Sequence, residues 1–103
     1  MQNREDIQKI ELKKDESYTA FVRNNERQFL DLIIVGIEKL AEDEKLDVYI
    51  AFTVFGGKLK KDRDIVVQRD GIHKIIENAL GKMELNEEYE ICNHLIELQE
   101  KFK

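Results

Sequence analysis

Proline and tryptophan are absent from this sequence of 103 residues, cysteine occurs once, and aromatic residues make up 8%. A single cysteine excludes an intramolecular disulfide framework and fits a reducing compartment. No apolar run approaches the 18 or more residues of a membrane span, and the opening MQNREDIQKIELKK lacks the apolar stretch of an export signal. The expected location is the cytoplasm. Nucleotide and metalloprotease signatures are missing as well: there is no GxGxxG, no GxxxxGK followed by Ser or Thr, and no HExxH.

What is present is charge and aliphatic bulk. Charged residues are 38% and hydrophobic ones 42%, the balance of a folded soluble chain, and the length suits one domain spanning residues 1–103. The net charge of −5 is unevenly spread. Residues 24–55 and 83–103 each sum to −4, residues 56–82 to +3, and residues 1–23 to zero. A basic hairpin is thus flanked by acidic helices. Lysine outnumbers arginine and isoleucine is plentiful, a bias that fits an AT-rich genome.

The clearest helix is Asn25 to Glu44, with Asn25 as N-cap and Gln28 closing a capping box. Phe29, Leu30, Ile33, Ile34, Ile37, Leu40 and Ala41 then share an arc of roughly 140°, a core-facing stripe. Leu32 and Val35 lie on the far flank, where they offer a second contact surface. Before this helix, period-two alternation around Ile10 and Leu12 and again over Tyr18–Arg23 predicts two strands joined by a polar turn. A helix over residues 3–14 capped by Asn3 is the competing assignment.

After it, Asp47 to Phe55 reads as a strand with Val48, Ile50, Phe52 and Val54 on one face and Tyr49, Ala51, Thr53 and Phe55 on the other. Gly56-Gly57 predicts a tight hairpin that sets Leu59 opposite Val54 and Ile65 opposite Val48. The charged return strand suits a sheet edge. A helix from Gly71 to Leu80 follows, capped by Asp70 and stopped by Gly81. Met83 and Leu85 fall in a link, and a last helix capped by Asn86 runs from Glu87 to about Phe102. The expected fold is α+β in the order ββαββαα, an antiparallel sheet of about four strands with helices on one face.

Catalytic chemistry is not expected. Cys92 sits on an apolar stripe, and His94, two residues on, faces the other way on a helix. His73 with Glu77 and Glu90 with His94 have helical spacing for sharing a metal, but no third ligand accompanies either pair. No cofactor or metal is therefore predicted. Two binding surfaces stand out. An acidic one, Glu38, Glu42, Asp43 and Glu44, adjoins Leu32 and Val35 and would suit a basic protein partner or a second copy of the chain. A basic one, Lys58, Lys60, Lys61, Arg63 and Arg69, would suit nucleic acid, although Asp62 and Asp64 are interleaved and no aromatic residue lies among the bases. The leading expectation is a small non-enzymatic interaction module that regulates or inhibits a larger, basic, nucleic-acid-handling partner. The alternative is a nucleic-acid accessory protein using the hairpin from Lys58 to Arg69. Phages and mobile elements commonly encode such small acidic domains, an association rather than a physical inference.

Overall fold

Ser17 decides the first departure from simple alternation. Its hydroxyl accepts the Ala20 N–H at 3.1 Å, and Tyr18, Phe21 and Val22 satisfy helical i, i+3, i+4 spacing just as Tyr18, Ala20 and Val22 satisfy strand alternation. The second predicted strand is accordingly a helix. The structure, a computed structural model, describes residues 2–102. A 3₁₀ turn at Arg4–Asp6, capped by the Asn3 side chain, leads into β1 (Lys9–Leu12). Helices α1 (Tyr18–Asn24) and α2 (Glu26–Glu42) follow, then strands β2 (Val48–Gly56) and β3 (Arg63–Gln68). Helices α3 (Ile72–Leu85) and α4 (Tyr89–Glu100) complete the described chain.

The α+β class is as expected, but the order is βααββαα and the described residues form three strands. The sheet is mixed, in the order β1-β2-β3, with β1 parallel and β3 antiparallel to β2. Parallel pairing follows from the second helix. A strand that reaches its neighbour through a crossover returns in the same direction, and α1 with α2 supplies that crossover.

Asn25 does not close a capping box. Its side-chain amide donates to the Phe21 carbonyl at 2.9 Å, so it ends α1 and splits it from α2. Below that break α2 keeps its expected face: Leu30, Ile33, Ile34, Ile37 and Leu40 are buried, and Phe29 and Ala41 half-buried. Gly36 lets helix and sheet approach closely, since a Cβ there would come within 2.7 Å of Val67 Cγ2.

Strict alternation along β2 fails at Ala51, where a bulge shifts the register. Phe52 and Val54 therefore join Tyr49 on the helix-covered face, while Thr53 crosses to the other face with Val48 and Ile50. Ile65 pairs with Phe52 rather than Val48. The predicted two-residue turn is also wider, running over residues 57–62. Its glycines serve as expected in one respect, since Gly56 and Gly57 have φ of 80° and 56°. Docking on the loop after β1, where the Lys58 N–H donates to the Glu16 carbonyl at 2.9 Å, holds the turn open.

Helix α3 starts after Gly71, not under an Asp70 cap, and continues through Gly81. The reason lies in Met83, which extends the stripe Ile72, Ile76, Ala79 by one turn and is fully buried. That burial outweighs the roughly 1 kcal/mol helical penalty of glycine. The chain then reverses through Glu87 at φ 58°, so α4 begins at Tyr89 and Asn86 does not cap it. Cys92, Leu95 and Leu98 are buried against α3, the expected helical hairpin.

The core has two parts. The larger joins α2, α3 and α4 to Val67 of β3, and the smaller gathers Leu12, Phe21, Phe52 and Val54.

Candidate interaction site

Of the acidic candidates, Glu38 and Glu42 stand on α2, Asp43 caps its C-terminus and Glu44 lies in the turn beyond. Leu32 packs against the smaller core cluster, while Val35 is 42% exposed. Glu38 accepts a hydrogen bond from His94 Nε2 at 2.9 Å, a pairing across two helices in place of the Glu90 spacing seen in sequence. Glu42 lies 4.0 Å from Lys39, and the Asp43 carboxylate accepts the Lys45 N–H. Glu44 stands exposed beside Arg69, His73 and Phe102. His73 Nε2 in turn pairs with the Phe102 carbonyl at 3.1 Å, away from Glu77.

Among the basic candidates, Arg69 belongs to the scaffold. Its guanidinium donates to the carbonyls of Leu40, Asp43 and Leu46 at 2.7 to 3.0 Å and lies 5.4 Å from the Phe102 ring centre. A cation at the end of α2 meets both the unpaired last-turn carbonyls and the negative end of the helix dipole. Lys58, Lys60 and Lys61 remain exposed in the loop 57–62, where half-buried Leu59 anchors the backbone to the smaller cluster. Arg63 stacks 4.8 Å from the centre of the Tyr18 ring. Sequence reading found no aromatic residue among these bases because Tyr18 is 45 residues away in the chain. Burial pushes the Tyr18 phenol above its ordinary value, and the nearby Arg63 charge opposes that rise.

The same folding step adds bases that segment sums concealed. Docking of the loop 57–62 on residues 13–16 sets the segment that carries Lys13 and Lys14 against the loop that carries Lys58, and Arg23 of α1 shares a shallow recess with Tyr18, Glu26 and Lys82. One end of the molecule consequently gathers bases, with Glu11, Asp15, Glu16, Glu26 and Asp62 as its interleaved acids.

A second feature had no sequence counterpart. Beyond β3 lies an apolar groove of about 320 Å³. Its floor is Val22, Phe29, Leu30 and Ile33 from α1 and α2; β3 contributes Ile65, Val66 and Val67, and α3 contributes Ile75, Asn78 and Ala79. Lys82 and Glu26, 3.3 Å apart, close the end toward α1. Strand β3 is an edge of the sheet, so part of its backbone faces this groove rather than a neighbour. The Arg69 N–H donates to the Asp47 carbonyl, and antiparallel alternation then turns the backbone groups of Val66 and Gln68 outward. Ile50, opposite Val66, agrees: its N–H and carbonyl point away from β3 and bond the Gln2 side chain at 2.6 and 2.9 Å. The available signal in sequence was the spacing of Ile75, Asn78, Ala79 and Lys82, one stripe of α3 that mixes apolar with polar residues.

Cys92 is buried, and its thiol is pushed above the ordinary range by burial and by the carboxylates of Glu84 and Glu88, the reverse of what a nucleophile needs. Among the described residues no three His, Cys, Asp or Glu side chains gather into a metal-binding group. The Lys58 N–H is already bonded to Glu16, which argues against a phosphate cradle at Gly56-Gly57. No helix among the described residues is long and apolar enough to cross a membrane. Comparison with protein-family models, with curated proteins and with solved structures returned no significant match.

Proposed function

We propose that this protein is a non-enzymatic interaction module that takes up an extended segment of a larger protein along β3 and regulates that protein by holding the segment. The carrying observation is the outward backbone of Val66 and Gln68 beside an unfilled apolar groove. Main-chain pairing at a sheet edge supplies affinity, and pockets for alternate side chains supply selectivity. About 320 Å³ lies at the small end of the range for binding pockets, enough for side chains from a short strand.

A display library of random peptides tests the reading. Wild type is expected to enrich sequences with alternating apolar residues. Asn78→Trp, which fills the groove from an exposed position, and Val66→Pro, which removes an outward donor without removing a ladder bond, are expected to retain none of them. Peptides that bind both variants as well as wild type would rule the groove out, provided circular dichroism shows both variants folded.

A second reading, nucleic-acid binding, is favoured by one observation, the stacking of Arg63 on Tyr18 among Lys58, Lys60 and Lys61. It requires a gel shift that weakens steeply with salt and disappears when Lys60, Lys61 and Arg63 are changed to Glu. Absence of any shift at low salt would dismiss it.

A further inference from the structure

We infer that the segment received by β3 carries a cluster of acidic residues immediately after its alternating apolar residues, and that Arg23 and Arg63 receive those carboxylates. This rests on the reading of β3 as a docking edge.

The direction of β3 sets the geometry. The strand begins at Arg63, at the basic end of the molecule, and runs past Ile65, Val66 and Val67 along the groove toward Gln68. A strand laid against its outer edge sends alternate side chains, about 7 Å apart, into the groove, while one of its ends lies beside Arg63. Antiparallel pairing is the more stable arrangement per residue, and it places the C-terminal end of the guest there.

That end meets cations with spare capacity. Among the described residues neither Arg23 nor Arg63 forms an ion pair, whereas Lys82 is already held by Glu26. Arg63 is oriented by its stacking on Tyr18, and both arginines present a planar fork suited to carboxylates. Lys60 and Lys61, exposed on the adjoining loop, extend the positive field. A polyanion such as single-stranded nucleic acid would be drawn by the same field. It has no use for an apolar groove, however. An acidic peptide end uses groove and basic end together.

Two labelled peptides test this by fluorescence anisotropy against the full chain. One has the sequence Val-Thr-Ile-Thr-Val-Asp-Glu-Asp, the other Val-Thr-Ile-Thr-Val-Ser-Gln-Asn. The acidic peptide is expected to bind about tenfold tighter at low salt, with the advantage shrinking as salt rises. Arg23→Gln combined with Arg63→Gln should erase the advantage and leave the neutral peptide unaffected, while Asn78→Trp should abolish binding of both. Equal affinity of the two peptides, or an equal gain when the acidic triplet is moved to the N-terminus, overturns the inference and leaves the docking edge standing. Failure of both peptides to bind overturns the two together. A short oligothymidylate that binds more tightly than the acidic peptide assigns the basic end to nucleic acid and overturns the inference as well.

Discussion

Beneath β1 the molecule is closed, whereas beside β3 the same layer of helices overhangs open space. On the closed side Leu12, Phe21, Phe52 and Val54 fill the volume between strand and helix, with Phe21 tilted against Phe52 and Phe29 meeting it edge to face. On the open side Phe29, Ile65 and Val67 reach the groove, and among the described residues no fourth strand covers it. The residue types are alike, so hydrophobicity does not explain the difference. Strand count does. Residues of α2 and α3 line a groove beside the edge strand β3, and apolar surface left in water forgoes about 25 cal/mol per Å² that a covering strand would recover. The open flank is thus where a partner has the most to gain.

The largest effect is expected from breaking the closed flank. Gly57 has a left-handed backbone, and a Cβ there would collide with the Glu16 carbonyl oxygen and with Leu12 Cβ. Gly57→Ala should therefore lower stability by about 2–4 kcal/mol in urea unfolding. A change within experimental error would show that the two loops do not lock together.

Arg69 ties the far end of β3 to α2, so its loss tests how firmly the open flank is anchored. Arg69→Ala should cost about 2–3 kcal/mol, since a charged donor to three carbonyls disappears. Arg69→Lys should recover little, because an ammonium cannot match the fork. Full rescue by lysine would refute the capping role.

Filling the groove should act in the opposite direction. Asn78→Leu is expected to raise stability by about 0.5–1 kcal/mol while weakening peptide binding, the usual exchange between stability and function. A stability loss would mean that the groove is not the unfilled apolar space described.

Asp64, on the face of the sheet that it shares with Thr53, gives the smallest effect. Hydrogen bonds from Arg4 and then from Thr53 hold its carboxyl below the ordinary carboxylate range. A depressed folded-state value stabilises the protein above the unfolded pKa of about 3.9, and that contribution is lost as pH falls through the folded value. Asp64→Asn should then lower the melting temperature slightly at neutral pH and leave it unchanged in strong acid. An equal difference across the whole range would point to packing instead of charge.

Part of this architecture was legible in the residues. The apolar stripes of α2 and α4 and the identity of β2 follow from periodicity, because each element buries one face and the spacing records it. The segment Tyr18–Arg23 was not legible, since its apolar residues satisfy both periods and the Ser17 cap chose between them. The bulge at Ala51 was hidden for a related reason: an extra residue changes face without changing composition. The site was least visible of all. Arg63 and Tyr18, or Glu16 and Lys58, meet through contacts that no local pattern encodes.

Composition and periodicity by themselves determined an acidic α+β chain with one buried cysteine, because burial and charge are properties each residue carries with it. The tertiary structure alone decided that β1 would pair in parallel, that Arg69 would serve a helix end, and that a groove would remain beside β3. Those outcomes depend on how many strands lie under the helices and which loops touch, relations between distant residues that exist only once the chain has packed.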